Sequence, residues 1–256
     1  MFDNTSWFKG FCQEQKMNAV EELLVDGLHE IGLDCTLDQR KLLLKHLNLV
    51  IEKNKDLNLT RIDSLEDGIH LHIIDSLICA KQLRSRGNCL KILDLGTGGG
   101  FPGIPLSIVL GGQVTLVDSI SKKVAAVNGF VHHLGLDGVC SALCARSEDL
   151  ARTAPESFDV VVARAVAQTN ILIEYASPLL VTGGVLCALK ANVSDEELEH
   201  ASRASELCGM RIVSRETVEL PNGYGHREII YIEKIGSPSI QLPRRNGMAT
   251  KRPLGM

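Results

Sequence analysis

Three glycines at alternate positions follow an aspartate in the segment Asp94-Leu95-Gly96-Thr97-Gly98-Gly99-Gly100. Glycine tolerates positive φ and lets a ligand approach the backbone closely, so this segment predicts a ligand-binding turn. A dinucleotide fingerprint has the spacing G-x-G-x-x-G, which is shaped around a pyrophosphate. The pattern here is D-x-G-x-G-x-G, with the acid inside the motif. This spacing favours a ligand that has no phosphate and that carries a cationic amino group suited to Asp94.

Polar residues also end the next two predicted strands. Asp118 closes the run 115–118, where a carboxylate can accept hydrogen bonds from both hydroxyls of a ribose. Ser147 and Glu148 follow the third predicted strand, where they can meet an adenine edge. Each residue alone is often an ordinary turn or a solvated acid, but on one βαβαβ frame they indicate an adenosine ligand. With the glycine spacing, they predict S-adenosylmethionine as the cofactor and a methyltransferase as the class of enzyme.

Other reactive residues give weaker patterns. The eight cysteines contain no C-x-x-C pair and most lie in apolar runs, so we expect reduced core thiols in a reducing cytoplasm. Their spacing does not predict zinc ligands, and we expect no metal. No Ser-His-Asp or Cys-His arrangement is evident. His72 lies on a predicted helix among apolar residues, where a lone histidine is more often a hydrogen-bonded packing residue than a ligand.

Composition limits the class of protein. The chain has 256 residues, of which 45% are hydrophobic and 23% are charged, which fits one large domain with a small extension. The net charge of −4 means that any anionic partner must be met by a local basic patch. The sequence contains no apolar run of about 18 residues that predicts a membrane span, and 1–10 does not resemble a signal peptide. We therefore expect a cytoplasmic protein.

Two regions of different periodicity must position these residues. The first ~85 residues have apolar positions at helical spacing. Thr36, followed three residues later by Gln39, predicts a capping box, and Ser64 with Asp67 predicts the start of another helix. From Cys89 onward, short apolar runs alternate with helical stretches, which predicts a doubly wound α/β domain with a mainly parallel sheet. The predicted strands are 90–95, 113–117, 139–145, 158–163, 185–189, 211–219 and 228–232.

The last segment has a different composition. Residues 236–256 are rich in Pro and Gly, and they contain four basic residues and no acid. We therefore divide the chain into an N-terminal helical region (1–88), a cofactor-binding domain (89–235) and a basic C-terminal tail (236–256). The tail is the strongest candidate for contact with phosphates, and the alternative is a solvated, frayed terminus. Its basic residues are Arg244, Arg245, Lys251 and Arg252.

The segment Gly96–Leu106, Gly-Thr-Gly-Gly-Gly-Phe-Pro-Gly-Ile-Pro-Leu, is more specific than a generic cofactor loop, because two prolines and an extra glycine follow the turn. It resembles the RsmG (GidB) family of bacterial 16S rRNA methyltransferases. The resemblance extends over about residues 35–254. Its other matching segments are 58–60, 72–76, 116–119, 164–165, 188–190, 243–247 and 251–254.

The resemblance implies a class I methyltransferase fold, Rossmann-like with a seven-stranded, mainly parallel sheet and a small N-terminal helical cap. It implies methyl transfer from S-adenosylmethionine to N7 of a guanine in 16S rRNA of the small ribosomal subunit. We expect a monomer that does not bind membranes. The cofactor contacts implied by the resemblance are Gly96, Phe101, Ser147, Glu148 and Arg164, and the strand-end position adds Asp118.

The rRNA contacts are predicted separately. Lys190 ends the fifth strand, and Lys122 and Lys123 begin the helix after the second strand and add to a basic patch. With these we group the tail residues Arg244, Arg245, Lys251 and Arg252. The chain departs from the family pattern at Leu71, where the family usually has Arg, and at Ala163 and Ala191. The change at Leu71 puts one presumed RNA contact in doubt.

No catalytic side chain is expected. N7 of guanine has an in-plane lone pair and no proton, so it can attack a methyl group in line without a general base. We therefore expect catalysis by positioning and electrostatics. Three alternatives stay open: a methyltransferase for a small molecule or a protein, an NAD-dependent oxidoreductase, and a non-catalytic adenosine-binding module. The glycine spacing disfavours the oxidoreductase.

Overall fold

The computed structural model describes residues 18–256. Within this range seven strands form one sheet in the order β3-β2-β1-β4-β5-β7-β6. The pairs from β3 to β5 are parallel, whereas β7 runs antiparallel to both β5 and β6. The predicted doubly wound α/β class with a mainly parallel sheet is therefore confirmed. The strands are β1 Lys91–Leu95, β2 Gln113–Asp118, β3 Cys140–Cys144, β4 Phe158–Arg164, β5 Leu180–Lys190, β6 Met210–Glu219 and β7 His226–Lys234.

Helices cover both faces of the sheet. One face packs against the N-terminal helices, α6 and α7, and the other packs against α8, α9 and α10. The strands between these two layers are buried, as in β4, where Val160, Val161 and Val162 are fully buried. The helices are α1 (18–30), α2 Leu37–Leu57, α3 Leu65–Gly68, α4 Asp75–Leu77, α5 Ala80–Arg84, α6 Gly103–Leu110, α7 Ser121–Leu134, α8 Ser147–Thr153, α9 Thr169–Ala176, α10 Asp195–Leu207 and α11 Met248–Lys251.

The predicted capping box at the start of α2 is present. The Gln39 amide donates to Thr36 Oγ1 at 3.2 Å, and the Thr36 amide donates to Gln39 Oε1 at 2.9 Å. Ser64 caps α3 as expected, but the chain continues as a π-helix over Ile69–Ile74 before it returns to α4. The wider turn places both His70 and His72 in buried positions. A sequence pattern based on 3.6 residues per turn did not predict this.

The predicted strand ends differ from the structure most at β5. The strand begins at Leu180, five residues before the predicted start. Gly183 and Gly184 interrupt the apolar run on which the prediction was based, but the strand continues through them. A register shift between β4 and β5 lies at this point. The sequence signal was lost because glycine has no side chain to mark a buried face.

The sequence analysis also predicted reduced cysteines in the core and no membrane-spanning helix. Seven cysteines lie in the described range and all are free, with Cys79, Cys140, Cys187 and Cys208 buried. Burial raises the pKa of Cys79 to about 12. Cys12 and residues 1–10 lie outside the described residues. Among residues 18–256, no helix combines the length and the apolar composition needed to span a bilayer.

Candidate cofactor and substrate site

The glycine loop lies where β1 ends, and its backbone has the predicted conformation. Gly96, Gly98 and Gly100 have φ of 78°, 57° and 93°. The amides of Gly96 and Thr97 both donate to the Val117 carbonyl of β2, so the loop is fixed to the sheet. A Cβ atom at Gly96 would lie 2.6 Å from Val166 Cγ2. Glycine is therefore required at position 96 both by the positive φ and by the neighbouring loop.

Asp94 supports this loop from inside the protein. The residue has no exposed surface, and its Oδ2 accepts hydrogen bonds from Thr97 Oγ1 at 2.6 Å and from the Gly103 amide at 2.8 Å. Its Oδ1 has no partner among the described residues. Burial raises the pKa of Asp94 to about 6, and the two hydrogen bonds oppose that shift. One carboxylate oxygen thus shapes the loop, and the other is an unsatisfied buried acceptor that suits a cation or a water molecule.

Four predicted cofactor residues line one cavity of about 290 Å³. Gly96, Asp118, Ser147 and Glu148 meet there because β1, β2 and β3 run parallel and end at the same edge of the sheet. Asp118 Oδ2 accepts from the Gly98 amide at 3.2 Å, and its Oδ1 accepts from the amide two residues on at 2.9 Å. Asp118 therefore also fixes the loop, and only 9% of its surface is exposed.

The other two predicted cofactor residues line a second cavity, of about 400 Å³. Phe101 and Arg164 lie there with His72, and the two cavities share Gly96 and Ala165. The Phe101 ring stacks on the His72 ring, with centroids 4.4 Å apart and planes inclined by 8°. The Arg164 guanidinium carbon lies 5.6 Å from the centre of the Phe101 ring. The six predicted residues thus surround two adjoining cavities.

Arg164 is held at the end of β4 by three acceptors. Its Nη1 donates to the Leu71 carbonyl at 2.8 Å and to Asp75 Oδ2 at 2.9 Å, and its Nη2 donates to His72 Nδ1 at 3.2 Å. Asp75 Oδ1 in turn accepts from Arg227 Nε at 2.8 Å. At position 71 this internal contact uses the backbone carbonyl, so it does not depend on the Leu71 side chain.

The hydrogen bonds of His72 define its tautomer. A guanidinium can only donate, so Nδ1 accepts from Arg164, and Nε2 carries the proton and donates to Thr60 Oγ1 at 2.9 Å. Burial lowers the pKa of His72 to about 3, and the neighbouring Arg164 charge acts in the same direction. Both ring nitrogens are therefore engaged, and the imidazole is neutral near pH 7.

His46, on α2, packs behind the site against Phe101 and the glycine loop, and our sequence analysis missed it. It is fully buried, its ring centroid lies 4.4 Å from that of Phe101, and its Nε2 donates to the Gly99 carbonyl at 3.0 Å. Burial lowers its pKa to about 4. The signal was present, because position 46 lies on the same apolar face as Leu43 and Val50. Asp75 and Arg227 were missed because their partners are far away in sequence.

Two of the predicted rRNA contacts are paired with acids inside the protein. Lys190 Nζ lies 2.8 Å from Glu197 Oε1, donates to the Ala167 carbonyl and is 14% exposed. Arg244 donates through two nitrogens to the Glu174 carboxylate, which is 3% exposed. The Arg244 guanidinium thus binds an internal carboxylate and anchors the tail, and the contacts of Lys190 and Arg244 with rRNA stay predictions.

The remaining tail cations are exposed. Arg245, Lys251 and Arg252 have no ion-pair partner among residues 18–256. The backbone between them is held against α8 and α9, for example by the Gly247 amide, which donates to Glu148 Oε1 at 2.7 Å. The interpretation of this segment as a frayed terminus is therefore wrong. Lys122, at the start of α7, is exposed, and Lys123 is half-buried.

Metal ligands were not expected from the sequence. Within the described part of the chain, no three His, Cys, Asp or Glu side chains are grouped in a way that could hold a metal ion.

Comparisons with known proteins give a family and a fold. Residues 39–227 match the family model GidB, described as rRNA small subunit methyltransferase G. The chain is 36% identical over 241 residues to ribosomal RNA small subunit methyltransferase G of Pelotomaculum thermopropionicum, covering 93% of this chain and 100% of that protein. It is 37% identical over 235 residues to the protein of the same name from Staphylococcus epidermidis, covering 91% and 98%.

Two solved structures share the fold at low identity. An O-methyltransferase from Bacillus cereus in complex with SAH has a TM-score of 0.56 at 19% identity, over 74% of this chain and 90% of that chain. A mutant of MtNAS in complex with S-adenosylmethionine has a TM-score of 0.51 at 18% identity, over 77% and 73%.

Proposed function

The chain belongs to the rRNA small subunit methyltransferase G (GidB) family, and we propose that it transfers the methyl group of S-adenosylmethionine to N7 of a guanine in 16S rRNA. The observation that carries this proposal is the pair of adjoining cavities, which meet at Gly96 and Ala165 at the carboxyl edge of the sheet. Ligands of open α/β sheets bind at this edge. One cavity can hold the methyl donor and the other the base.

The residues of the smaller cavity fit S-adenosylmethionine. Asp118 is placed to accept from ribose hydroxyls, and Ser147 and Glu148 offer polar groups to an adenine. The unsatisfied Oδ1 of Asp94 lies under the loop, where a buried acceptor suits the ammonium group or a water molecule bound to it. When bound, this cofactor supplies an electrophilic methyl group on a sulfonium. We assign Gly96, Asp118, Ser147 and Glu148 to holding it, and Phe101 and Arg164 to the boundary with the substrate cavity.

The proposed mechanism needs no proton transfer from the nucleophile. Guanine N7 has a free lone pair, and His72, a candidate base that lines the cavity, has both nitrogens occupied by Arg164 and Thr60. The role of the protein is then to hold the base in line with the methyl group, which can contribute several kcal/mol, up to roughly 7–11 in ideal cases. The attacked base becomes cationic. Catalysis then depends on how the cavity wall, which includes the Phe101 ring packed on the neutral His72, positions this base.

Arg164 is proposed as a positioning arginine. Asp75 accepts hydrogen bonds from both Arg164 and Arg227, and it is 10% exposed, so the arrangement is rigid. A fixed guanidinium at the boundary between the cavities can orient the base without a reorganisation step. Because His72 accepts one of its hydrogen bonds, Arg164 also fixes the ring that stacks on Phe101.

The substrate is proposed to be a guanine in a loop of the RNA. A base inside a regular helix must be unstacked before it reaches a cavity, which costs roughly a few kcal/mol, whereas loops present unstacked bases. The exposed tail cations Arg245, Lys251 and Arg252 are proposed to bind the phosphates, with Lys122 adding to the patch. We also propose the division into helical region (1–88), methyltransferase domain (89–235) and tail (236–256), a monomeric state and a cytoplasmic location.

The test is a transfer assay. Purified protein is incubated with labelled S-adenosylmethionine and with 30S subunits or naked rRNA from a strain that lacks the gene, and the modified nucleoside is identified by mass. We expect 7-methylguanosine at one position. Label on another atom, or transfer only to small molecules, would contradict the guanine-N7 proposal. Cofactor binding without any transfer to rRNA would favour a non-catalytic adenosine-binding module.

A further inference from the structure

The basic tail and the cofactor cavity share one carboxylate. Glu148 lines the cavity and is 5% exposed. Its Oε1 accepts from the Gly247 amide at 2.7 Å, and its Oε2 accepts from the Ser147 hydroxyl at 3.2 Å. Hydrogen bonds to a charged acceptor are about twice as strong as neutral ones. The tail backbone therefore fixes the orientation of a group in the cavity wall.

A ring of side chains next to this contact holds the tail on α8. Arg152 Nη1 donates to Asp149 Oδ1 at 2.8 Å and to Asn246 Oδ1 at 2.9 Å. Asn246 Nδ2 donates to Asp149 Oδ2 at 2.8 Å, which closes the ring. Arg152 Nη2 also donates to the Arg244 carbonyl at 3.0 Å. Since Asn246 directly precedes Gly247, this ring determines where the Gly247 amide lies.

The tail is fixed on its other side by an ion pair. Arg244 binds the buried Glu174 of α9 through two nitrogens, and its Nη2 also donates to the Arg252 carbonyl. The exposed cations at positions 245, 251 and 252 therefore belong to a segment that is held from two directions. Binding of phosphates to these cations can therefore affect the position of the backbone that contacts Glu148.

We propose that the tail is part of the cofactor site, with Arg152 and Asn246 as positioning residues that hold the Gly247 amide against Glu148. The inference rests on the proposed function, because it takes the cavity beside Glu148 as the site of S-adenosylmethionine. If the tail shifts, Glu148 loses its donor and its carboxylate can turn within the cavity. Phosphates bound to the tail and cofactor bound in the cavity then favour the same tail position. By linkage, each strengthens the binding of the other by the same factor.

The first test measures cofactor affinity in Arg152→Ala and Asn246→Ala, which open the ring without changing a cavity residue. By titration calorimetry, we expect the Kd for S-adenosylmethionine to rise at least about fivefold. The KM for the cofactor should rise in parallel, while kcat at saturating cofactor and 30S subunits stays within about twofold. Arg211→Ala is the matched control, because it removes an arginine from an ion pair between β6 and β7, far along the chain from the ring, and should leave Kd unchanged.

The second test measures the coupling. In the wild type, a saturating rRNA fragment should lower the Kd for S-adenosylmethionine, and in Asn246→Ala this effect should be lost. Arg152→Lys retains the positive charge and one donor to the ring and should restore part of the affinity. If Arg152→Ala lowers the unfolding temperature, its effect on Kd can come from lost stability. The Kd of Asn246→Ala, which removes no charge, is then the result that tests the proposal.

The outcomes separate this inference from the proposed function. Unchanged cofactor affinity in both variants, with the wild type binding S-adenosylmethionine normally, would overturn the role of the tail and leave the methyltransferase proposal intact. A wild-type protein that binds no S-adenosylmethionine would overturn both. Weaker binding in the variants together with lost coupling to rRNA would establish the tail as part of the cofactor site.

Discussion

At the glycine loop, backbone amides and buried carboxylates form the site, whereas at the basic tail, exposed side chains of Arg and Lys form the candidate contact surface. The loop groups lie close together in sequence, since Asp94 binds Thr97 and Gly103. In the tail, neighbouring arginines differ in role: Arg244 binds a buried glutamate 70 residues away, and Arg245 is exposed. A motif built from local backbone conformation can be predicted from sequence, and the availability of a charge cannot.

The ends of β4 and β5 follow the same rule as Arg244. Arg164 is paired with Asp75 and Lys190 with Glu197, and each of the two basic side chains is 14% exposed. Both acids lie on helices, Asp75 on α4 and Glu197 on α10. The cations at both strand ends are thus paired inside the protein, as Arg244 is and as Arg245, among residues 18–256, is not.

The largest expected difference lies within the tail. Arg244→Ala leaves the Glu174 carboxylate buried without a partner, and we expect it to lower the free energy of unfolding by about 2–3 kcal/mol, somewhat less than for a fully buried pair because Arg244 is partly exposed. Arg245→Ala should change it by less than about 0.5 kcal/mol. Urea unfolding of the two variants measures this. Equal stabilities would mean that the tail is not anchored through Arg244.

The next effect distinguishes two glycines of the loop. Gly96→Ala and Gly98→Ala both place alanine at positive φ, but only at position 96 does the new Cβ meet another residue, Val166. We expect the Kd for S-adenosylmethionine to rise about tenfold more in Gly96→Ala than in Gly98→Ala. Calorimetric titration compares them, and circular dichroism checks that both fold. If Gly98→Ala were equally damaging, the contact with Val166 would be irrelevant to binding.

A pH dependence is expected at the loop and not at the tail. The pKa of His46 is about 4 in the folded protein and near 6.5 when unfolded, so between these values the unfolded chain binds more protons and stability falls as pH falls. When the pH falls from 7.5 to 5.5, the free energy of unfolding should therefore decrease by about 1 kcal/mol less in His46→Phe than in the wild type. His132→Gln, at an exposed position, is the control. Parallel pH profiles for wild type and His46→Phe would contradict a neutral, buried His46.

The smallest effect is expected in the salt dependence of rRNA binding. Arg245→Ala or Lys251→Ala should reduce the slope of log K against log salt by about 0.7–0.9 each, one phosphate contact per residue. Lys190→Ala should reduce it less, because Glu197 already neutralises that charge. Filter binding at several salt concentrations gives the slopes. Equal slopes for all three variants and the wild type would leave the tail cations without a phosphate contact.

Much of the fold followed from patterns in the sequence. All seven strands and the capping box at Thr36 were predicted. Burial on two faces gives the central strands continuous apolar runs, and caps have short local motifs. The start of β5 and the π-helix at Ile69–Ile74 were not predicted. In the first case glycine carries no signal of burial, and in the second a change of helical pitch leaves the apolar spacing almost intact.

The candidate site was predicted in part. Residues Gly96, Asp118, Ser147 and Glu148 were expected together, and they line one cavity, because consecutive parallel strands end at the same edge. His46 was missed: its position on the apolar face of α2 marks it as buried, but only the packing of α2 against the loop brings its ring to Phe101.

By itself the sequence determined the order of strands and helices, the position of the glycine loop and the family. The first two depend on the period of apolar residues and on glycines at fixed spacing, which act over a few residues. The family depends on short matching segments between about residues 35 and 254. Only the tertiary structure decided which charges are free, which nitrogen of His72 carries the proton, and that Glu148 contacts the tail. Each of these depends on a partner from a distant part of the chain. A buried polar group must be paired to offset its desolvation, and the residue type alone does not say which partner the fold supplies.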